Sequence, residues 1–431
     1  MSAATITLLV LLLAAILFVT EIIPVAATAL VVMFLLYLTG VIDAATVFSG
    51  FTNNIVILIT GMFVIGAALF ETGVAKKISN LITKFAKTEK QLLLAIMVIG
   101  ASLSAFLSNT STTAVLMPIV ILIADNMGFS RAKLLMPLAY ATALGGLITL
   151  VGTNSNLAAQ GVMENEGIPV FGFFEFAKIG IPLTVIGIIY MMTIGYKLIP
   201  TRENPKDETA IAKEEAAAAI AASDSQKDNP VKQFIAVAIL ILTIIFMVFE
   251  QQIGIPLHIV SIMGALLIVL TRTMTEKQAY KSLDMSTIIL VAGMMPLATA
   301  LSETGAAKMI AETVMGSVGN GAGPYVITAL IFIITTVLTS VMSNTAAAAL
   351  MAPIAIVIAS SMGADPRAIL MAVCIGASAA YASPIGTPPN TMIYSPGNYR
   401  FIDYIKCGLP FIIIQLIICV LLVPLFWPFY N

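Results

Sequence analysis

Residues 104–113 read Ser-Ala-Phe-Leu-Ser-Asn-Thr-Ser-Thr-Thr, and they lie inside a stretch with no charge between Lys90 and Asp125. That stretch, about 92–124, is too long for one bilayer crossing and too short for two. Unwound backbone and neutral polar groups at hydrocarbon depth must be satisfied by protein, water or a ligand. The segment therefore reads as a re-entrant hairpin: helix in, polar tip, helix out. The same pattern returns at 325–360, with Thr339-Ser340-Val341-Met342-Ser343-Asn344-Thr345 at its middle.

Working outward, apolar runs predict ten crossings, at about 5–20, 24–41, 54–70, 132–160, 179–198, 233–249, 256–271, 286–302, 368–395 and 407–429. The first run lacks the positive flank of a secretory signal, so a membrane helix is expected there. With both hairpins making no net crossing, 18 of the 21 Lys and Arg share one side; only Lys178, Lys308 and Arg367 fall on the other. That asymmetry places the basic side in the cytoplasm and both termini outside. Counting the hairpins as crossings scatters it. Residues 200–231, charged and Ala-rich, read as a cytoplasmic linker.

Composition agrees. Of 431 residues, 59% are apolar and 10% charged, too few charges to cover a soluble surface. A net charge of −1 provides no field for nucleic acid. Cys374, Cys407 and Cys419 lack metal or redox spacing and read as lipid-buried thiols; His258, the single histidine, reads as structural. The fold class is an all-α polytopic membrane protein.

The halves flanking the linker match. Glu71-Thr72-Gly73 recurs as Glu303-Thr304-Gly305, Ser108-Asn109-Thr110 as Ser343-Asn344-Thr345, Pro118 as Pro353, and Gly152-Thr153 with Asn156 as Gly386-Thr387 with Asn390, at offsets of 232 to 235. Each half, 1–199 and 232–431, holds five crossings and one hairpin. Five is odd, so the second copy enters the membrane from the opposite side. Inverted repeats of this kind place a transporter's site at their interface near the midplane. The crossings 132–160 and 368–395 read as broken helices, interrupted at Gly152-Thr153-Asn154-Ser155-Asn156 and at Gly386-Thr387-Pro388-Pro389-Asn390. A single Gly or Pro kink means packing more often than function; four breaks paired by the repeat and rich in Ser, Thr and Asn favour function.

Absent charges restrict the chemistry. The expected site has no buried carboxylate and no Arg clamp, which argues against an Asp/Glu proton relay and against an organic-cation site. Hydroxyls, amides and half-helix N-termini can hold an anion. They neutralise a dianion poorly alone, and Na⁺ suits neutral oxygen ligands that could hold it beside the anion. The residues thus imply cation-coupled anion transport. A channel needs a continuous polar path, which two blind tips do not suggest. An intramembrane enzyme needs an Asp pair, a metal set or a Ser/His pair, none of which is visible.

With its two Ser-Asn-Thr tips and Gly-Thr-Pro-Pro-Asn, the chain resembles the divalent anion/sodium symporter family of the ion transporter superfamily over nearly its whole length. The resemblance implies an elevator-type transporter that is homodimeric, with scaffold and transport domains each drawn from both repeats. It implies two Na⁺ sites, one formed by Ser104, Ser108, Asn109 and Gly152, the other by Thr339, Ser343, Asn344 and Gly386, with Met342 offering only its carbonyl. It implies substrate contacts from Ser108, Asn109, Thr110, Thr153, Ser343, Asn344, Thr345, Thr387 and Pro388. Arm helices are expected near 71–91 and 303–324. The implied activity is sodium-coupled symport of a C4-dicarboxylate across the inner cell membrane. The first broken helix reads Gly-Thr-Asn-Ser-Asn, and Ala346–Ala349 follow the second tip where many members carry Thr. Sulfate or another oxyanion, and dicarboxylate exchange without Na⁺, stay open as alternatives.

Overall fold

The computed structural model describes residues 1–72, 88–202, 204, 230–318 and 323–430. The first expected arm falls largely on 73–87 and the linker largely on 205–229, outside the described residues. Among the described residues there is helix and no strand.

Numbering helices of seven or more residues, the first half contains α1 (Ala3–Thr20), α2 (Val25–Leu38), α3 (Asn54–Glu71), α4 (Glu89–Ser104), α5 (Asn109–Met127), α6 (Arg131–Gly145), α7 (Asn154–Asn165) and α8 (Ala177–Tyr190), the last continuing through a wider π turn to Leu198. The second half contains α9 (Pro230–Val248), α10 (Leu257–Leu270), α11 (Met285–Glu303), α12 (Ala306–Val318), α13 (Pro324–Thr339), α14 (Asn344–Ser361), α15 (Pro366–Ala377), α16 (Pro388–Tyr394) and α17 (Phe401–Phe426). Among the described residues, seven helices are long and apolar enough to cross a bilayer, and five shorter apolar ones accompany them. Leu12, Ile16, Ile413, Ile417 and Leu421 stand exposed on α1 and α17, the arrangement expected where lipid is the solvent.

Both hairpins turn at the expected tips. α4 ends at Ser104 and α5 begins at Asn109, because Ser108 adopts extended backbone and its Oγ accepts from Ser111 N at 3.2 Å. Likewise α13 ends at Thr339, and Ser343 Oγ caps α14 through Ala346 N at 3.3 Å. The broken helices are α6–α7 and α15–α16. Their interruptions are held by one asparagine each: Asn156 Nδ2 donates to Gly146 O (3.2 Å) and Thr149 O (3.1 Å), and Asn390 Nδ2 donates to Ala380 O (2.9 Å) and Ser383 O (2.8 Å). These bonds satisfy carbonyls that the breaks leave without helical partners.

The helices associate in two groups. One comprises α1–α3 with α9–α12, the other the hairpins, the broken helices, α8 and α17; α3, α11 and α12 meet α7 and α14 between them. Within the second group, Tyr399 repairs the α6 ladder one residue before Pro137. Its hydroxyl accepts from Met136 N at 2.8 Å and donates to Ala132 O. Tyr399→Phe strands both groups in a buried site, at an expected cost of about 1–3 kcal/mol. A lowered melting temperature of the purified protein checks this; an unchanged one would mean the hydroxyl is dispensable there.

Candidate functional site

The two tips meet the two breaks around one cavity of about 160 Å³. Its wall contains all nine residues expected to touch substrate: Ser108, Asn109, Thr110, Thr153, Ser343, Asn344, Thr345, Thr387 and Pro388. Of the helices that begin at this wall, α5, α7 and α14 belong to the tips and the first break, and they bring three partial positive charges of roughly half a unit to it. Neither the Thr153 nor the Thr387 hydroxyl caps the helix that follows it; Thr153 Oγ1 shares a hydrogen bond with Ser155 Oγ at 3.2 Å instead. Pro388 and Pro389 bring no N–H to the first turn of α16, so that helix start supplies shape and the Thr387 hydroxyl rather than amide donors.

Behind this wall lie two oxygen cages of matching construction. In the first, Ser104 Oγ donates to Thr142 O at 2.8 Å and contacts the Asn109 carboxamide at 2.7 Å. In the second, Thr339 Oγ1 donates to Ala377 O at 2.8 Å and contacts the Asn344 carboxamide at 2.7 Å. With its oxygen inward, each carboxamide oxygen faces only acceptors. With the amide turned, Asn109 Nδ2 donates to Ser104 Oγ (2.7 Å), Thr142 O (2.9 Å) and Gly152 O (3.2 Å), and Asn344 Nδ2 donates to Thr339 Oγ1 (2.7 Å), Ala377 O (3.1 Å) and Gly386 O (3.2 Å). The donor set, a hydroxyl, a carboxamide and two carbonyls per cage, is that of a hard monovalent cation. A cation among these oxygens would favour the oxygen-inward amide; without one, the turned amide supplies the missing protons.

Ser104, Gly152, Thr339 and Gly386 thus sit in the cages, while Ser108 and Ser343 cap helices at the cavity wall. Among the described residues no cluster of His, Cys, Asp or Glu is arranged to hold a metal. A larger cavity of about 300 Å³, lined by Glu71, Gln278, Lys281 and Ser282, shares Ser108 and Asn154 with the first and adjoins it.

The sequence reading missed part of the wall. Asp284, Ser286, Thr287 and Leu290 of the α11 start line the cavity, as do Val25 and Asn154. Asn154 Nδ2 donates to Thr287 Oγ1 at 3.1 Å, and Thr287 Oγ1 donates to Asp284 Oδ2 at 2.5 Å. The charge-free site expected from the sequence does not include Asp284, an exposed carboxylate in this wall. In sequence, Asp284 reads as an ordinary N-cap; only its tertiary position next to α7 makes it a wall.

The citrate transporter family CitMHS matches residues 15–376 and 349–431. The chain belongs to that family. It is a divalent anion/sodium symporter family member, an integral membrane transporter rather than an enzyme. Similar proteins include the uncharacterized transporter YfbS of Escherichia coli (strain K12), 26% identical, with 96% of this chain and 98% of YfbS covered. The sodium-dependent dicarboxylate transporter SdcS of Staphylococcus aureus (strain USA300) is 29% identical, with 94% of this chain and 82% of SdcS covered. Among solved structures, the YdaH transporter of Alcanivorax borkumensis superposes with a TM-score of 0.59 at 14% identity, covering 88% of this chain and 86% of YdaH. MtrF of Neisseria gonorrhoeae gives 0.60 at 15%, covering 89% and 83%. At such identities the likeness is one of fold.

Proposed function

We propose that this chain is a sodium-coupled secondary transporter of divalent anions, with a C4-dicarboxylate ahead of sulfate. One observation carries the reading: a cavity of about 160 Å³ with three helix N-termini and hydroxyls in its wall, backed by two matched oxygen cages. The N-termini and hydroxyls of Ser108, Thr110, Thr153, Ser343, Thr345 and Thr387 would hold the carboxylates, with Pro388 shaping the pocket. Na⁺ would bind to Ser104, Asn109 and Gly152 in one cage and to Thr339, Asn344 and Gly386 in the other. Each ion would sit directly behind a helix start that faces the anion. Anion and cations then neutralise one another, and neither binds well alone, which is what couples their movement. The relative SdcS, named as sodium-dependent and dicarboxylate-transporting, supports the assignment.

The halves would be inverted repeats and the movement an elevator. The group holding hairpins and broken helices would form the transport domain, and α1–α3 with α9–α12 a scaffold that dimerises with a second copy. The polar contacts between the groups support a sliding surface: Asn154 to Thr287, Asn165 Nδ2 to Thr299 Oγ1 at 2.8 Å, and Asn54 to Glu164. Each of these bonds would be exchanged on a stroke. The lysine-rich face and the 200–231 linker would be cytoplasmic, the termini external, and the membrane the inner one.

Uptake of labelled succinate, citrate and sulfate into proteoliposomes under an imposed Na⁺ gradient tests this. Succinate uptake should depend on Na⁺. Equal uptake with choline in its place would overturn the coupling, and uptake driven only by trapped internal anion would show exchange.

A further inference from the structure

We propose that Asp284 gives the anion site a sided affinity: it weakens dianion binding when the cavity opens to the lysine-rich face, and no equivalent charge meets the anion at the other face. This rests on reading the cavity as an anion site exposed alternately to the two faces.

Asp284 is exposed and lines the cavity together with the starts of α5, α7 and α14. Its carboxylate is fixed rather than free to swing away. Oδ1 accepts from Thr287 N at 3.2 Å and Oδ2 from the Thr287 hydroxyl at 2.5 Å. Among the described residues no Lys or Arg forms an ion pair with it; Lys281, three residues earlier, lines the adjoining cavity instead. Its negative charge, which the α11 start it caps offsets only in part, thus faces a site otherwise built from partial positive charges. For a carrier of anions this is a cost, and its position shows where the cost is incurred.

Depth gives that position. Asn154, the first residue of α7, bonds to Thr287, the third residue of α11. The cavity therefore lies level with the first turn of α11, the end flanked by Arg272, Lys277 and Lys281. It adjoins the larger cavity lined by Gln278, Lys281 and Ser282, which lies toward that same face. The described arrangement is thus the one open to the lysine-rich side.

The repeat supplies the comparison. α3 occupies in the first half the place of α11 in the second. In the opposite state, inverted halves bring the α16 start beside the α3 start, as α7 now lies beside α11. The residues there are Thr52, Asn53 and Asn54, all uncharged, and Asn53 Oδ1 makes the cap by accepting from Ile55 N at 2.8 Å. A carboxylate wall on one face becomes an amide wall on the other. Across about 7 Å, a unit charge repels a dianion by roughly tenfold in affinity even at the dielectric of water. Weaker binding at the lysine-rich face speeds unloading there, while the Na⁺ gradient still fixes the final accumulation.

The test uses right-side-out and inside-out membrane vesicles, with labelled succinate and saturating Na⁺. Asp284→Asn keeps a good cap for Thr287 N, since Asn caps as well as Asp. It should shift the ratio of the two KM values roughly tenfold, by lowering KM at the lysine-rich face. Asn53→Asp should shift the ratio by a similar factor through a higher KM at the opposite face. Saturable uptake in which neither variant alters the ratio overturns the role of Asp284 and leaves the anion site standing. Wild-type vesicles without saturable succinate uptake at either face sink the anion site itself, and this inference with it.

Discussion

Replacing Asn109 or Asn344 by alanine abolishes sodium-driven uptake, by roughly a hundredfold or more, and leaves a folded protein. Each carboxamide joins three strands of chain in one cage: the hairpin's descending helix, the last turn before the break, and the glycine within it. Asn109 reaches Ser104 Oγ, Thr142 O and Gly152 O; Asn344 reaches Thr339 Oγ1, Ala377 O and Gly386 O. Alanine removes two or three of these contacts at about 1 kcal/mol each, which is roughly a hundredfold in an equilibrium constant. It also removes the only side-chain carbonyl in a cage that would hold Na⁺. The fold should survive because both residues border the cavity, where water can replace the amide. Because the cages match, the two variants should fail alike. The measurement is Na⁺-gradient-driven uptake beside a melting curve. Uptake at the wild-type level in both would make the tips packing features and remove the basis for cation coupling. Loss in one alone would mean that the two cages are not equivalent.

The parts of this molecule that were legible in its sequence are those where the membrane leaves the chain few alternatives. Ser-Asn-Thr inside an uncharged run cannot face lipid, so it had to be an internal tip, and the helices end at Ser104 and Thr339 around those tips. The distribution of Lys and Arg favours hairpins over crossings, which is part of the proposal above. Nine expected contact residues surround one cavity because the repeat had already paired tip with break. What the sequence concealed depends on tertiary placement. Asp284 and Thr287 look like any N-cap and first turn until α7 is laid beside them. Tyr399 gives no local sign that it mends the ladder of α6, more than 260 residues earlier. The paired Asn156 and Asn390 were visible as a pattern, but their task of holding unwound carbonyls was not. The last helix starts at Phe401 rather than near 407, because Asp403 Oδ2 accepts from Arg400 N at 2.7 Å at the head of its first turn and also pairs with Arg202 at 2.8 Å. Charges excluded from a hydropathy run can still belong to a helix's first turn.

Gly152→Ala and Gly386→Ala should each raise the Na⁺ concentration for half-maximal uptake more than tenfold, or remove uptake altogether. The reason is contact with backbone. A Cβ on Gly152 would stand 2.7 Å from Gly146 O, 2.9 Å from Gly146 Cα and 2.9 Å from Ser104 O. On Gly386 it would stand 2.6 Å from Thr339 O and 3.1 Å from Ser340 Cα. Such atoms cannot rotate aside as a side chain can, so the hairpin tip must move away from the break. That movement opens the very cage whose carbonyls come from Gly152 and Gly386, and a hard cation loses affinity steeply once its oxygens spread. Neither glycine has positive φ, so the effect is one of space and not of backbone strain. Gly323→Ala is the matched control: it precedes α13, meets nothing within 4 Å and should keep wild-type Na⁺ dependence. If both cage variants also kept it, the glycine carbonyls would not be cation ligands, and the close approach of tip to break would serve packing alone.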